Sequence, residues 1–108
     1  MSYSVKTIPR FDKDIKGLVK KYPSLKQEYI NLVQSLKLNP TQGNLIGNNA
    51  YKICLAIASK NKGKSGGARV ITYLQIVNKT VYLLSIFDKA DQENSSDKDL
   101  EALLKLIP

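Results

Sequence analysis

Hydrophobic residues recur along this chain at two different spacings, which separate its strands from its helices. Residues 3–8 alternate in the manner of a short amphipathic strand, and Pro9 ends it. Apolar residues then recur at helical spacing, which predicts one helix over Arg10–Lys21 and a second from Leu25 that ends before Asn39-Pro40. The join at Tyr22-Pro23-Ser24 is short, so the two helices should form an antiparallel hairpin.

The second half of the chain has the two-residue period of β-structure. Residues 40–49 are rich in glycine and asparagine and are expected to form turns and irregular chain. Three β-type runs follow, over Tyr51–Ala58, Arg69–Val77 and Thr80–Phe87. Asn78-Lys79 should form a tight hairpin turn, and Lys60–Ala68 a longer, glycine-bearing loop. Ser96 is a candidate N-cap for a short helix from about Asp97.

The predicted order is strand, helix, helix, strand, strand, strand, helix, within one domain spanning residues 1–108. We expect an α+β fold in which the helical hairpin packs on one face of a mainly antiparallel sheet. The two-residue period places Lys52 and Cys54 on one face of the first long strand, and Arg69 and Tyr73 on one face of the next. If the apolar sets face the helices, Lys52, Arg69 and Tyr73 lie together on the uncovered face.

Positive charge is concentrated in one acid-free stretch. Between Glu28 and Asp88 there is no acidic residue and there are seven basic ones, against a formal net charge of +8 for the whole chain. The densest part is residues 60–69, which contain Lys60, Lys62, Lys64 and Arg69. Such a coherent positive field favours a polyanionic partner such as nucleic acid. A solvated basic loop that only aids solubility is the alternative.

The residue types that are missing restrict the chemistry. The chain has no histidine and a single cysteine, Cys54, which excludes zinc sites of the usual type and catalysis by a histidine base. Cys54 cannot form an internal disulfide, and the N-terminus has no hydrophobic signal core, so a reducing cytoplasm is expected. No apolar run reaches the roughly 20 residues of a membrane span. We expect no metal, no cofactor and no membrane partner.

Two further patterns have simple explanations. Gly63-Lys64-Ser65 resembles the end of a phosphate-binding P-loop, but Ala58 stands where the first glycine is needed and a strand follows instead of a helix. Nucleotide binding is therefore rejected. The acidic residues near the last helix are better explained as electrostatic caps than as a metal site. They are Asp88, Asp91, Glu93, Asp97, Asp99 and Glu101.

Several segments together carry a family resemblance. They are Leu45–Gly47, Tyr51–Ile53, Lys62–Tyr73, Val81–Asp91 and the closing helix over Leu100–Leu106. In this order they resemble the RelE/ParE superfamily of toxins, most closely its HigB-like branch, over nearly the whole chain. The resemblance implies a type II toxin: a small, metal-independent endoribonuclease that cleaves mRNA on the ribosome and is neutralised by a cognate antitoxin.

The resemblance also suggests roles for individual residues. The reaction that it implies is attack of a ribose 2′-hydroxyl on the adjacent phosphate, which Arg69 would hold through its guanidinium. Lys52 and Lys89 match basic positions of the family pattern and would stabilise charge or transfer a proton. Tyr73 would stack a base or orient a phosphate, unless it is only packed against its neighbours. The loop lysines Lys60, Lys62 and Lys64 would contact RNA backbone.

One position departs from the family pattern and keeps two alternatives open. Many HigB-like members have an arginine two residues after the lysine that matches Lys52, whereas this chain has Cys54. Either another cation, for example from the Lys60–Lys64 part of the loop, supplies the missing positive charge, or the nuclease activity is weakened. The alternatives are a ParE-like inhibitor of DNA gyrase without nuclease activity and a catalytically silent protein that binds RNA or antitoxin. The antitoxin is expected to be small, with an acidic surface, and a helix-turn-helix protein would fit.

Overall fold

The computed structural model describes residues 2–60, 66–90 and 97–107, and the helices and strands assigned within these ranges are short. The helices and strands are β1 Ser4–Thr7, α1 Pro9–Lys21, α2 Leu25–Leu38, β2 Asn44–Gly47, β3 Ala50–Leu55, β4 Ala68–Gln75, β5 Thr80–Asp88 and α3 Asp97–Leu104. One turn of 3-10 helix, Ala58–Lys60, follows β3. The predicted α+β fold is confirmed, with one strand more than expected. No helix in the described ranges is long and apolar enough to cross a membrane.

A single five-stranded sheet organises these elements. The strands lie in the order β1-β5-β4-β3-β2. Neighbours are antiparallel except for β1 and β5, which run parallel with Ser4 opposite Thr80. Strand β4 is central, and six of its eight residues are buried. Five of its eight residues are apolar and they occupy both faces, as a strand covered on both sides requires.

The helices α1 and α2 begin and end where local chemistry favours it. Pro9 occupies the first turn of α1, where its missing N–H removes no helical hydrogen bond. The helix ends at Lys21, and the N–H of Tyr22, which follows it, donates to the Leu18 carbonyl at 2.8 Å. Phe11 of α1 meets Tyr29 of α2, with ring centroids 5.6 Å apart. Burial, and then the nearby carboxylate of Asp12, raise the pKa of Tyr29 above its ordinary value.

Strand β2 corrects one prediction. The expectation of irregular chain over residues 40–49 is wrong for residues 44–47, which pair antiparallel with β3. Asn48 and Asn49 both have positive φ, 51° and 60°, as the two central residues of a type I′ hairpin turn require. Gly47 and Ala50 pair across this turn. The asparagine pair that suggested a loop is therefore the turn of a hairpin.

The other strand ends also differ from prediction. Strand β4 ends at Gln75, and a four-residue turn over residues 76–79 replaces the predicted two-residue turn at Asn78-Lys79. The Lys79 N–H donates to the Ile76 carbonyl at 3.1 Å, and Lys79 has φ of 48°. Apolar Ile76 and Val77 extend the strand pattern into the turn, although both are exposed. Strand β3 ends at Leu55 rather than Ala58 because its partner β4 begins opposite it, at Ala68.

Thr72 offers a test of the packing of β4. Its side chain is fully buried, and among the described residues its hydroxyl oxygen is the buried side-chain atom without a hydrogen-bond partner. Thr72→Val keeps the shape and removes an unsatisfied polar group, so it should stabilise the fold by about 1 kcal/mol. Thermal unfolding should show a melting temperature higher by roughly 4 °C.

Thr80→Val is the matched control. Thr80 is also buried, but its hydroxyl donates to the Asn78 carbonyl at 3.0 Å. This variant should lower the melting temperature because it leaves that interaction unmade. If the melting temperature shifted equally and in the same direction in both variants, the unmade hydrogen bond of Thr72 would not be what decides the effect of this residue on stability.

Candidate nucleic-acid interface

The register of β3 and β4 brings three predicted site residues onto one face of the sheet. Cys54 lies opposite Arg69, Lys52 opposite Ile71 and Ala50 opposite Tyr73. Directly paired residues point to the same side of a sheet, so Lys52, Arg69 and Tyr73 share a face. Lys52 is the diagonal neighbour of both Arg69 and Tyr73, at roughly 7–8 Å between Cα atoms. The predicted juxtaposition is therefore present.

The expectation that this face is uncovered is wrong. Helix α3 lies against it, because Leu104 and Ile107 line a cavity with Tyr73 and Gln75. Ile71, between Arg69 and Tyr73 on β4, is fully buried. The sequence pattern marks Leu103 and Leu104 as apolar but contains no local signal for the sheet face on which they pack.

Arg69 is held close to the sheet. It is only 6% exposed, and its Nη1 donates to the Ala68 carbonyl at 3.2 Å. A guanidinium in this position has a restricted range of orientations, which suits a group that must present a fixed pair of N–H donors. Lys52 and Tyr73 are half-buried on the same face.

Lys89 lies directly after β5, next to the start of β4. Its N–H donates to the Gly67 carbonyl at 3.1 Å, one step beyond the Asp88–Ala68 pair. Gly67 is required there, since a Cβ atom would lie 2.0 Å from the Leu55 carbonyl oxygen. The position of Lys89 thus depends on a close approach of two backbones at the end of β3.

The chain leading into the lysine-rich loop is held against the N-terminal end of α2 by hydrogen bonds. Glu28 Oε2 accepts a hydrogen bond from the Ala58 N–H at 2.7 Å, and Ser24 Oγ accepts one from the Ser59 N–H at 2.9 Å. These contacts fix the 3-10 turn that ends at Lys60. Of the predicted RNA contacts, Lys62 and Lys64 and the side chain of Lys60 lie outside the described residues.

Sequence patterning missed several neighbours of the site. Lys6 is exposed on the same face, because β1 pairs with β5 and sets Lys6 opposite Tyr82. Ser24 directly precedes α2 and Glu28 lies in its first turn, where residues often cap their own helix, yet both hold another segment. The position of Lys6 depends on pairing between strands that are far apart in the sequence, and local spacing cannot predict such pairing.

A cavity of about 330 Å³ adjoins Tyr73. Its lining combines one aromatic ring, two amide side chains and two aliphatic ones, from Tyr73, Asn48, Gln75, Leu104 and Ile107. Gln75 Oε1 accepts a hydrogen bond from Asn78 Nδ2 at 2.9 Å, which orients its amide. Such a lining offers a flat surface for stacking and polar groups at its rim.

The acidic residues form no metal cluster in the part of the chain that the structure describes. Asp88 is buried and accepts hydrogen bonds from Tyr22 and from the Ala90 N–H. Asp91, Glu93 and the side chain of Asp97 lie outside the described residues, so their predicted capping role stays a prediction.

Comparison with known proteins identifies the family. A family profile described as the RelE toxin of the RelE/RelB toxin–antitoxin system matches residues 13–107. The chain belongs to the RelE toxin family. The family resemblance found in the sequence is thereby confirmed, and membership of a RelE/RelB-type system implies a cognate antitoxin as partner.

Two solved structures share the fold. One is a free-state variant of the E. coli toxin RelE with two arginines replaced by alanine, which has 17% identity, full coverage of both chains and a TM-score of 0.66. The other is the isolated E. coli RelE toxin, which has 19% identity, covers 98% of this chain and 100% of that one, and has a TM-score of 0.55. At these identities the likeness concerns the fold alone.

The Cys54–Arg69 pair generates a prediction about the departure from the family pattern. Cys54→Arg would place two cations directly opposite each other on neighbouring strands, which should destabilise the fold by about 0.5 kcal/mol. The comparison is Cys54→Gln, which is also long and polar but uncharged. Thermal unfolding at low salt should show the lower melting temperature for Cys54→Arg, and the difference should shrink as salt is added. Equal melting temperatures at low salt would contradict the expected repulsion.

Proposed function

We propose that this RelE-family protein is a ribosome-dependent endoribonuclease toxin that cleaves mRNA through attack of a ribose 2′-hydroxyl on the adjacent phosphate, which breaks the bond from phosphorus to the 5′ oxygen of the next nucleotide and releases that oxygen as a hydroxyl. The observation that supports this most is the register that sets Lys52 diagonal to both Arg69 and Tyr73 on one sheet face. Lys89 joins them at the start of β4 through its bond to Gly67. Lys52, Arg69 and Tyr73 on one sheet face, with Lys89 at the Gly67 end of β4, form a set suited to a phosphodiester and its flanking bases.

The reaction makes three demands on these side chains. The 2′ proton must be removed, negative charge developing on the phosphoryl oxygens must be stabilised, and the nucleotide must be held in line. The fixed guanidinium of Arg69 suits the second demand, because two of its N–H groups can contact two phosphoryl oxygens. Lys52 and Lys89 are the candidates for proton transfer and for further charge stabilisation.

Tyr73 would serve the third demand. A base stacked on its ring would enter the adjoining cavity, where the amides of Asn48 and Gln75 lie within the same lining. Lys60, Lys62 and Lys64 would contribute sequence-independent contacts to the RNA backbone. The cognate antitoxin would counter the positive surface with acidic side chains, in the cytoplasm where ribosomes are translating.

A binding-only function is the second candidate, in the form of a gyrase inhibitor or a silent RNA- or antitoxin-binding protein. Two observations favour it: Arg69 is only 6% exposed, and Cys54 supplies no cation beside it. Burial restrains the guanidinium but also limits its access to a phosphate. The two candidates differ in whether RNA is cut.

Arg69→Ala and Lys89→Ala test the proposed function. Each should reduce mRNA cleavage on translating ribosomes by about 100-fold and relieve growth arrest, because each removes a charge that stabilises the transition state. Cleavage should be mapped by primer extension in cells and measured on purified ribosomes. Arg69→Lys keeps the positive charge but loses the bidentate hydrogen bonding of the guanidinium, so it should retain intermediate cleavage activity if this side chain binds phosphate.

Lys26→Ala is the matched control, since it removes one exposed positive charge from α2. It should leave cleavage unchanged, and circular dichroism should show that all four variants are folded. Growth arrest with intact mRNA and altered DNA supercoiling would favour the gyrase alternative. Full toxicity of folded Arg69→Ala and Lys89→Ala would show that the site is elsewhere.

A further inference from the structure

Asp88 is an unusual residue for the end of a positively charged stretch. It is the last residue of β5, it is 1% exposed, and it directly precedes Lys89. An isolated buried carboxylate is costly, so such a group is retained where several donors compensate it. Its partners therefore indicate what it holds in place.

Three groups from two parts of the chain meet this carboxylate. The Tyr22 hydroxyl donates to Oδ2 at 2.7 Å, and Lys21 Nζ lies 3.9 Å from the same oxygen. The Ala90 N–H donates to Oδ1 at 2.9 Å. Both oxygens are engaged, one by the end of α1 and the other by the backbone immediately after Lys89.

Lys89 is consequently fixed on both sides. Its own N–H is bonded to the Gly67 carbonyl at 3.1 Å, and the next N–H is bonded to Asp88. Gly67 cannot shift easily, because it is packed against the backbone of Leu55. The Asp88 carboxylate, oriented by Tyr22, thus closes a turn whose middle residue is Lys89.

We propose that Tyr22, acting through the buried Asp88 carboxylate, is a positioning residue that sets Lys89 beside Arg69 for RNA cleavage. The inference rests on the proposed function for its catalytic consequence. Tyr22 belongs to the end of α1, on a different element from every residue expected to touch RNA. Its effect passes through one hydrogen bond and one turn of backbone.

Tyr22→Phe is the sharpest test, because it removes the hydroxyl and keeps the ring over which Lys21 Nζ lies at 5.3 Å from the centroid. Small displacements of a catalytic group cost large factors in rate. We expect kcat for cleavage on purified ribosomes to fall about tenfold, with KM changed by less than about twofold, since Lys89 still contributes charge to binding. Asp88→Asn keeps the side-chain shape and should give a loss of the same kind.

Tyr29→Phe is the matched control. It removes a tyrosine hydroxyl from the neighbouring helix, at the contact with Phe11. Its kcat and KM should both equal those of the wild type. An equal loss of kcat in Tyr29→Phe and Tyr22→Phe would overturn the inference, because the effect would then be one of helix packing.

Amide hydrogen exchange tests the positioning without reference to activity. In Tyr22→Phe the amides of Lys89 and Ala90 should exchange at least about tenfold faster, while the amides of Val70 and Ile71 in central β4 keep their protection. Unchanged exchange at Lys89 and Ala90 would overturn the inference. A wild type that cleaves no mRNA would overturn the proposed function instead, and the exchange result would still decide whether Tyr22 and Asp88 hold Lys89.

Discussion

The pairing of β4 with a strand on each side is the constraint on which the candidate site depends. Strand β4 supplies Arg69 and Tyr73, β3 adds Lys52 through its register, and β5 leads to Lys89. A slip of one residue would turn each side chain to the other face. The apolar rung formed by Ile53, Val70 and Ile86 opposes such a slip, because all three are buried on the opposite face. Hydrophobic packing on one side thus fixes the cations on the other.

An irregularity in β5 extends this arrangement. Ile71 pairs with Ser85 and Thr72 with Leu83, so Leu84 is an extra residue without a direct partner on β4. Bulges of this kind increase local twist and redirect side chains. Here the bulge lets Phe87 and Tyr82, five residues apart, share the face that carries Arg69 and Tyr73. It also lets the adjacent Leu83 and Leu84 both be fully buried.

Sequence patterning predicted those features that depend on local periodicity. The helices, the three long β-type runs and the common face of Lys52, Arg69 and Tyr73 follow from periods of 3.6 and 2 residues. Strand β2 was missed because its hairpin turn, Asn48-Asn49, has the composition of a loop. The cover on the face that carries Tyr73 was missed because the docking of α3 depends on tertiary packing. The burial of Asp88 was missed for the same reason, since its partner Tyr22 lies 66 residues away.

The parallel pairing of β1 with β5 has a consequence for the order of folding. Strand β1 comes near the start of the chain and β5 near its end, and Ser4 must meet Thr80 before the β1 edge of the sheet is complete. Contacts over such long separations require closure of a large loop and form slowly. The pair of helices and the β3–β4 pairing can form from residues close in sequence. The contacts that hold Lys89 cannot, because they need the end of α1 and the end of β5 together. A nascent chain therefore acquires its helices early and its complete basic surface last.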